Sequence, residues 1–335
     1  MIITKTPLRI SFFGGGTDYP TWIKEHGGAV LSTSINKYSY LHVRRLPPFF
    51  PYKSKVVWSH IEDVNDIDEI THPSVRETLR YMNFHEGLSI HYNGDVPAMS
   101  GLGSSSSFTV GFLHALYGLN GISPDKEKLA REAIHIEQHC IKENVGAQDQ
   151  IASAVGGLNK IEFHTDGTFT VKPLQLDEGA KKDLESHMML FFTGLTRRAS
   201  EIVVEQISNI PRKTGELHTM RALVDDAERV LEGKTGDWLG DFGKLLHKNW
   251  ELKRSLSSKI SSDAIDGYYA RALYAGALGG KLLGAGGGGF LLIYARPERQ
   301  AKIREALNEL LHVPFALDDE GTKIIYQTHE PPAWN

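Results

Sequence analysis

The sequence predicts an α+β fold in two lobes, and three observations support that expectation. Strand-like and helix-like segments are interspersed without the strict alternation of a parallel α/β sheet. The texture changes near residue 180, from a strand-rich half to a helix-rich block, which places the lobes at 1–180 and 181–335. Many of the 33 glycines gather in three distant clusters, Gly14–Gly16, Gly101–Gly103 and Gly284–Gly289. Such loops cost too much backbone entropy to serve as packing material alone.

Residues 1–13 alternate well enough for a strand, which runs straight into Gly14-Gly15-Gly16-Thr17-Asp18. Tyr38–Val43 and Lys55–Trp58 read as strands, separated by the turn-prone Pro47-Pro48 and Pro51. Pro73–Met82 is helical, and Leu88–Tyr92 is a short alternating strand. A glycine–serine stretch over 100–107 opens the apolar segment Phe108–Leu119, a buried helix. Ser123-Pro124 supplies a helix start, a hydroxyl cap with proline in the first turn. Leu129, Ala133, Ile136, Cys140 and Ile141 then recur at helical spacing, and Thr165-Asp166-Gly167 marks a hairpin. Beyond the strand Met188–Thr193, the residues Leu217, Met220, Val224, Ala227 and Leu231 keep a three-four spacing. A strand over Phe290–Tyr294, a helix over 297–311 and a strand over 323–327 follow.

Composition narrows the function classes. A hydrophobic fraction of 41% and a charged fraction of 23% are ordinary for a globular chain. A net charge of −4 argues against nucleic acid as the main partner. With Cys140 as the single cysteine no intramolecular disulfide is possible, which suits a reducing cytoplasm. MIITKTPLRISFF is too short and polar for a signal peptide, and no run of about 18 apolar residues occurs. A cytoplasmic protein without a membrane span is expected.

The stretch from Pro97 to Ser107 is the most informative. Its glycines let backbone approach a ligand closely, and the helix that starts there directs unpaired N–H groups and a positive dipole end outward. Ser100, Gly101, Leu102, Gly103, Ser104, Ser105 and Ser106 are therefore candidates to cradle a nucleotide's phosphates. No Walker A pattern is present, and Gly101-Leu102-Gly103 lacks the third glycine of a dinucleotide fingerprint. A flexible linker is the bland alternative, but linkers rarely run directly into a long apolar helix.

With the first cluster added, the pattern becomes specific. Thr6-Pro7-Leu8-Arg9-Ile10-Ser11-Phe12-Phe13-Gly14-Gly15-Gly16-Thr17-Asp18-Tyr19 resembles the N-terminal motif of the GHMP kinases. That family includes galactokinase, homoserine kinase, mevalonate kinase and phosphomevalonate kinase. Residues 97–106 resemble its second motif, Pro-x-x-x-Gly-Leu-Gly-Ser-Ser, and Gly284–Gly289 its C-terminal glycine-rich loop, in the family's order. Gly146-Ala147-Gln148-Asp149-Gln150 is similar to the segment that holds the galactokinase catalytic aspartate.

The resemblance implies an ATP- and Mg²⁺-dependent kinase acting on a small molecule, a sugar or sugar phosphate. The implied fold has a ribosomal-protein-S5-like N-terminal lobe and a ferredoxin-like C-terminal lobe. It implies Asp149 as base or orienting carboxylate, and Arg9 as the group that stabilises charge on the transferring phosphoryl group. Ser105 and Glu137 would hold Mg²⁺, while Gly15, Gly16, Thr17 and Asp18 would meet the substrate. Gly15-Gly16 stand where galactokinases carry Glu-His; this variant resembles bacterial D-glycero-D-manno-heptose 7-phosphate kinases and, less closely, fucokinases. A phosphorylated sugar needs a second anion site, for which Thr196 and Arg197, with Arg198, are candidates and Lys37, Lys53 and Lys55 reserves. A fucose-type 1-kinase and a regulator that binds ATP and sugar without turnover are the competing expectations.

Three further features carry less. His135-Ile136-Glu137-Gln138-His139 misses the metalloprotease pattern, because glutamate does not follow the first histidine directly. Cys140 falls at an apolar helix position, and Trp58 suits either an adenine face or strand packing.

Overall fold

A computed structural model describes residues 1–195 and 199–328. Its strands are β1 (Ile2–Phe13), β2 (Gly28–Arg45), β3 (Ser54–Val57), β4 (Ile61–Val64), β5 (Leu88–Gly94), β6 (Leu158–Phe163) and β7 (Phe169–Pro173). They continue with β8 (Met188–Phe192), β9 (Gly279–Leu282), β10 (Phe290–Tyr294), β11 (Leu311–His312), β12 (Leu317–Asp318) and β13 (Lys323–Gln327). The helices are α1 (Pro20–His26), α2 (Pro73–Tyr81), α3 (Ser104–Leu119), α4 (Lys126–His135), α5 (Gln148–Val155) and α6 (Glu178–Ser186). After them come α7 (Ala199–Asn209), α8 (Thr214–Gly233), α9 (Trp238–Ser255), α10 (Asp263–Tyr274) and α11 (Gln300–Ala306).

A nine-stranded sheet is built around β2, which pairs β1 along most of its length, β5 through Ser39–Arg45 and β6 through Gly28–Thr33. Only the second half of β2 alternates in burial; its first eight residues are all buried, so no period-two pattern marks them. That is why the sequence predicts a strand over Tyr38–Val43 alone. The hairpin at 165–167 joins β6 to β7, with Phe163 opposite Phe169. The second sheet is antiparallel, in the order β11-β8-β10-β9.

Two helix expectations are corrected. α4 begins at Lys126, not after Ser123, because the Asp125 carboxylate accepts the Lys128 N–H at 2.6 Å and suits the positive helix end. The segment 297–311 holds a 3₁₀ turn and the short α11 before Leu311 joins the second sheet.

The two sheets share a core. From β1, Leu8, Ile10, Phe12 and Phe13 pack with Leu223 and Val224 of α8, Phe242 and Leu246 of α9, and Leu190 and Leu292 of the second sheet. Phe242 stands edge-on to Phe12 at 5.5 Å and Phe13 at 5.3 Å, an arrangement aromatic quadrupoles favour. The helical stripe Leu217, Met220, Val224, Ala227 and Leu231 is buried throughout. The chain then returns: β12 pairs β2 and β13 pairs β1, so residues 317–327 complete the first sheet. Among the described residues no helix is long and apolar enough to cross a membrane.

Candidate active site

Three glycine-bearing segments converge at the end of β1. Gly14, at φ +79°, turns the chain so tightly that a Cβ there would sit 1.9 Å from the Ala29 carbonyl oxygen. The loop 283–289 lies directly on the loop 100–103: the Phe290 N–H donates to the Ser100 carbonyl at 3.1 Å. A Cβ on Gly289 would stand 2.2 Å from that carbonyl oxygen, so backbone meets backbone only because side chains are absent. Gly103, left-handed at φ +77°, precedes α3, whose N-terminus has no side-chain cap. The first-turn N–H groups of a 16-residue helix are thus left for a ligand, the arrangement that binds phosphate.

The segment 146–150 supplies the chemistry. A Cβ on Gly146 would fall 1.9 Å from Asp18 Oδ2, and the Ala147 N–H donates to the Asp18 carbonyl at 3.1 Å. Successive residues at the start of α5 point about 100° apart, so three in a row reach three different groups. Gln148 Nε2 donates to Asp18 Oδ2 at 2.8 Å, and Gln150 Nε2 to Glu137 Oε2 at 2.5 Å. Between them Asp149 accepts from Arg9 Nε at 2.7 Å and from its terminal nitrogen at 2.6 Å. Arg9 gives its other terminal nitrogen to the Gly101 carbonyl at 2.7 Å, tying the carboxylate to the phosphate loop. Its side chain is 5% exposed, whereas that of Asp149 remains 25% exposed and reachable.

Asp18 is buried and also accepts the Gly16 N–H at 3.0 Å. Burial pushes its carboxyl up from the ordinary range, only partly opposed by that backbone bond. Glu137 lies in a π-helical turn, Ile136–Cys140, and burial pushes it up to about 7. Oε2 accepts from Ser106 at 2.8 Å and from Gln150, while Oε1 is buried with no hydrogen-bond partner. An unpaired buried carboxylate oxygen is costly, and a divalent cation would offset the cost, so these residues fit Mg²⁺.

The geometry sorts the predicted residues. Arg9, Asp149, Asp18, Glu137 and the loop 100–104 come together. Ser105 does not join Glu137: it is exposed, and Ser106, one helix step on, makes the bond. Thr17, read as a substrate residue, is instead fully buried, its hydroxyl 2.8 and 2.9 Å from the Gly14 and Ala29 carbonyls. Gly15 and Gly16 are partly exposed beside Asp18. Thr196, Arg197 and Arg198 lie outside the described residues. Asp149 does not cap α5, whose N-cap position is Ala147, without a side-chain cap. Trp58 packs edge-on to His72 and donates its indole N–H to Glu62 at 2.8 Å. A surface hollow of about 1040 Å³ beside Tyr274 and Arg299 contains none of these residues, so chemistry rather than concavity locates the site.

Sequence reasoning placed Ser106 in the phosphate cradle but not beside Glu137. It gave no role to Gln148 and Gln150, although the two glutamines flank Asp149 and their spacing could have suggested the fan. It also missed Lys253 and Lys281, whose partners are main-chain carbonyls distant in sequence.

A carboxylate pinned by arginine against an amide-lined, glycine-built cradle is the equipment of a phosphoryl-transfer enzyme. Comparison with known families agrees: residues 71–157 match the GHMP kinases N terminal domain and residues 237–313 the GHMP kinases C terminal domain. The chain belongs to the GHMP kinases, ATP-dependent enzymes that phosphorylate small molecules. Among its relatives is a D-glycero-alpha-D-manno-heptose 7-phosphate kinase from Campylobacter jejuni, 29% identical over 96% of this chain and 98% of that one. An L-fucokinase/L-fucose-1-P guanylyltransferase from Bacteroides fragilis is 25% identical over 96% of this chain, which spans 38% of that larger protein. A crystal structure of a D-glycero-D-manno-heptose 1-phosphate kinase from Bacteroides thetaiotaomicron shares the fold, with a TM-score of 0.79 at 24% identity, covering 98% of this chain and 100% of that one.

Proposed function

We propose that this chain transfers the γ-phosphoryl group of ATP to the anomeric hydroxyl of D-glycero-D-manno-heptose 7-phosphate, giving the 1,7-bisphosphate and ADP. The observation that carries the chemistry is the Arg9–Asp149–Gly101 junction, a reachable carboxylate held beside the uncapped start of α3. The sugar oxygen forms a bond to the γ-phosphorus, the bond to the β–γ bridging oxygen breaks, and ADP departs with that electron pair. The hydroxyl proton passes toward Asp149, while the cradle's N–H groups meet the charge on the phosphates. Glu137 and Ser106 would hold Mg²⁺, which when bound neutralises phosphate charge.

The substrate assignment rests on Gly15. A Cβ there would meet Ser11 Oγ at 3.7 Å and Gln148 Nε2 at 3.8 Å, ordinary contacts, so packing does not demand glycine. Gly15-Gly16 lack the Glu-His pair by which galactokinases are expected to meet galactose, which disfavours that hexose. The heptose 7-phosphate kinase relative supports the same substrate, and Thr196 and Arg197 are the proposed ligands of its 7-phosphate. Coupled ADP release over heptose 7-phosphate, fucose, galactose and mevalonate tests the assignment. Heptose 7-phosphate should give the highest kcat/KM, and a clear preference for fucose would transfer the assignment to a fucose-type kinase. In the same assay Asp149→Asn should keep nucleotide binding but lose about 10²–10⁴-fold in kcat. Equal binding with no turnover in the parent protein would instead make the chain a sensor.

A further inference from the structure

Two lysines occupy places that lysines rarely occupy. Lys253 of α9 is 5% exposed and Lys281 of β9 is 1% exposed. Neither forms an ion pair among the described residues; both rest on main-chain carbonyls. Lys253 Nζ donates to Leu282 at 3.3 Å and Gly284 at 2.5 Å. Lys281 Nζ donates to Ser11 at 2.7 Å and Phe12 at 3.0 Å.

The segments they grip support the reacting centre. Gly284 abuts Gly101, where a Cβ would approach Gly101 Cα to 2.5 Å, and Gly101 is the carbonyl that Arg9 holds. Ser11 and Phe12 lead into the loop that carries Asp18. Lys253 is flanked by the charges of Arg9 from β1, Asp18 from the following loop and Asp149 from α5, and Lys281 by Lys253, Arg9 and Asp18. Burial pushes Lys253 down to about 8 and Lys281 well below the ordinary lysine range, and Arg9 adds repulsion in both cases.

For stability alone the arrangement is poor. Buried charges replaced by apolar groups of similar volume often leave a protein as stable or more so. Each amine has two carbonyl partners, so a neutral amine satisfies both, and an ammonium has one donor left over. A polyphosphate arriving nearby favours the ammonium form, and the extra proton comes from solvent.

We propose that Lys253 and Lys281 are positioning residues for phosphoryl transfer: they lock the 283–289 loop and the end of β1 in place, and take up positive charge when a nucleotide polyphosphate binds. The test is titration calorimetry of the full-length protein with ATP–Mg²⁺ and with AMP, near pH 8, in buffers of different ionisation enthalpy. Lys253→Met and Lys281→Met should melt at or above the parent temperature. They should lose about tenfold in ATP affinity and clearly less in AMP affinity. Proton uptake on ATP binding should shrink in both. Lys253→Gln keeps N–H donors for the carbonyls but cannot gain a proton, and it should show the same smaller uptake. Equal losses for ATP and AMP, or unchanged uptake in the glutamine variant, would overturn the proposal. So would failure of all three variants to fold, because the lysines would then be structural.

Discussion

At the scale of single residues, the site depends on what is left out as much as on what is present. Gly103 has φ +77°, and a Cβ there would lie 3.3 Å from both Asp149 Oδ2 and Arg9 Cγ. In Gly103→Ala the left-handed backbone should cost about 1–2 kcal/mol of stability. The methyl group also presses on the pair that presents the carboxylate, and small misplacements of a reacting group are expensive. We expect kcat to fall about 100-fold, far more than any unfolded fraction explains. Urea unfolding alongside saturating-substrate kinetics checks this; a variant whose activity merely follows its stability would count against the geometry. Arg9, Asp149 and Asp18 were legible in the sequence because ordered motifs contain them, and Glu137 because of its spacing upstream of Asp149 in the family resemblance. The choice of Ser106 over Ser105 was not, since a run of four serines has no preferred member until the helix start sets their directions. Lys253 and Lys281 were illegible for a different reason: carbonyl acceptors carry no side-chain identity.

At the scale of elements, legibility followed periodicity. α2 and α8 repeat along one face and lie where the pattern predicts them. β1 and β5 lie where their alternation in residue type predicts strands, although Thr6–Phe13 of β1 are all buried. The first half of β2 does not alternate, and the π turn that carries Glu137 continues α4 without any compositional mark. Local capping also couples elements to pH. His72 caps α2 by accepting the Val75 N–H at Nδ1, 3.4 Å away, while its ring stacks on Phe108 at 4.5 Å. Burial pushes His72 down to about 4, against the partial opposition of Glu62. With the folded value depressed, the unfolded chain takes the proton first. Stability contributed by His72 is therefore present above about pH 6.5 and lost as pH falls toward about 4, to a total of about 3 kcal/mol. His72→Asn keeps a capping oxygen but does not titrate. Urea midpoints measured from pH 7 to pH 4 should fall less steeply in this variant. His114, also pushed down to about 4 by burial, should retain part of the slope. An unchanged slope would show that His72 titrates normally.

At the scale of the whole molecule, the site cannot be assigned to one lobe. Its groups come from β1, the loop after it, α3 and α5, and they rest on α9 and the 283–289 loop. The shared core repeats this dependence in apolar form. A chain ending near residue 180 would keep Leu8, Ile10, Phe12 and Phe13 but lose Leu190, Leu223, Phe242 and Leu292 against which they pack. It would also lose β12 and β13, leaving edges of β2 and β1 unpaired. Each large apolar side chain so exposed forfeits about 1.5–3 kcal/mol, and four of them approach the about 5–15 kcal/mol that a folded domain has in total. The fragment 1–180 should therefore lack native near-ultraviolet dichroism on its own. The full chain should unfold in one transition, with far-ultraviolet dichroism and tryptophan fluorescence sharing a midpoint. Fluorescence samples both lobes, because Trp58 packs in the first and Trp250 in the second. ATP with Mg²⁺ should raise the two midpoints by the same amount, since the ligand bridges groups whose folding is one event. Two separated transitions, with only one responding to nucleotide, would mean that the lobes fold independently and that the site is assembled by docking rather than by a common core.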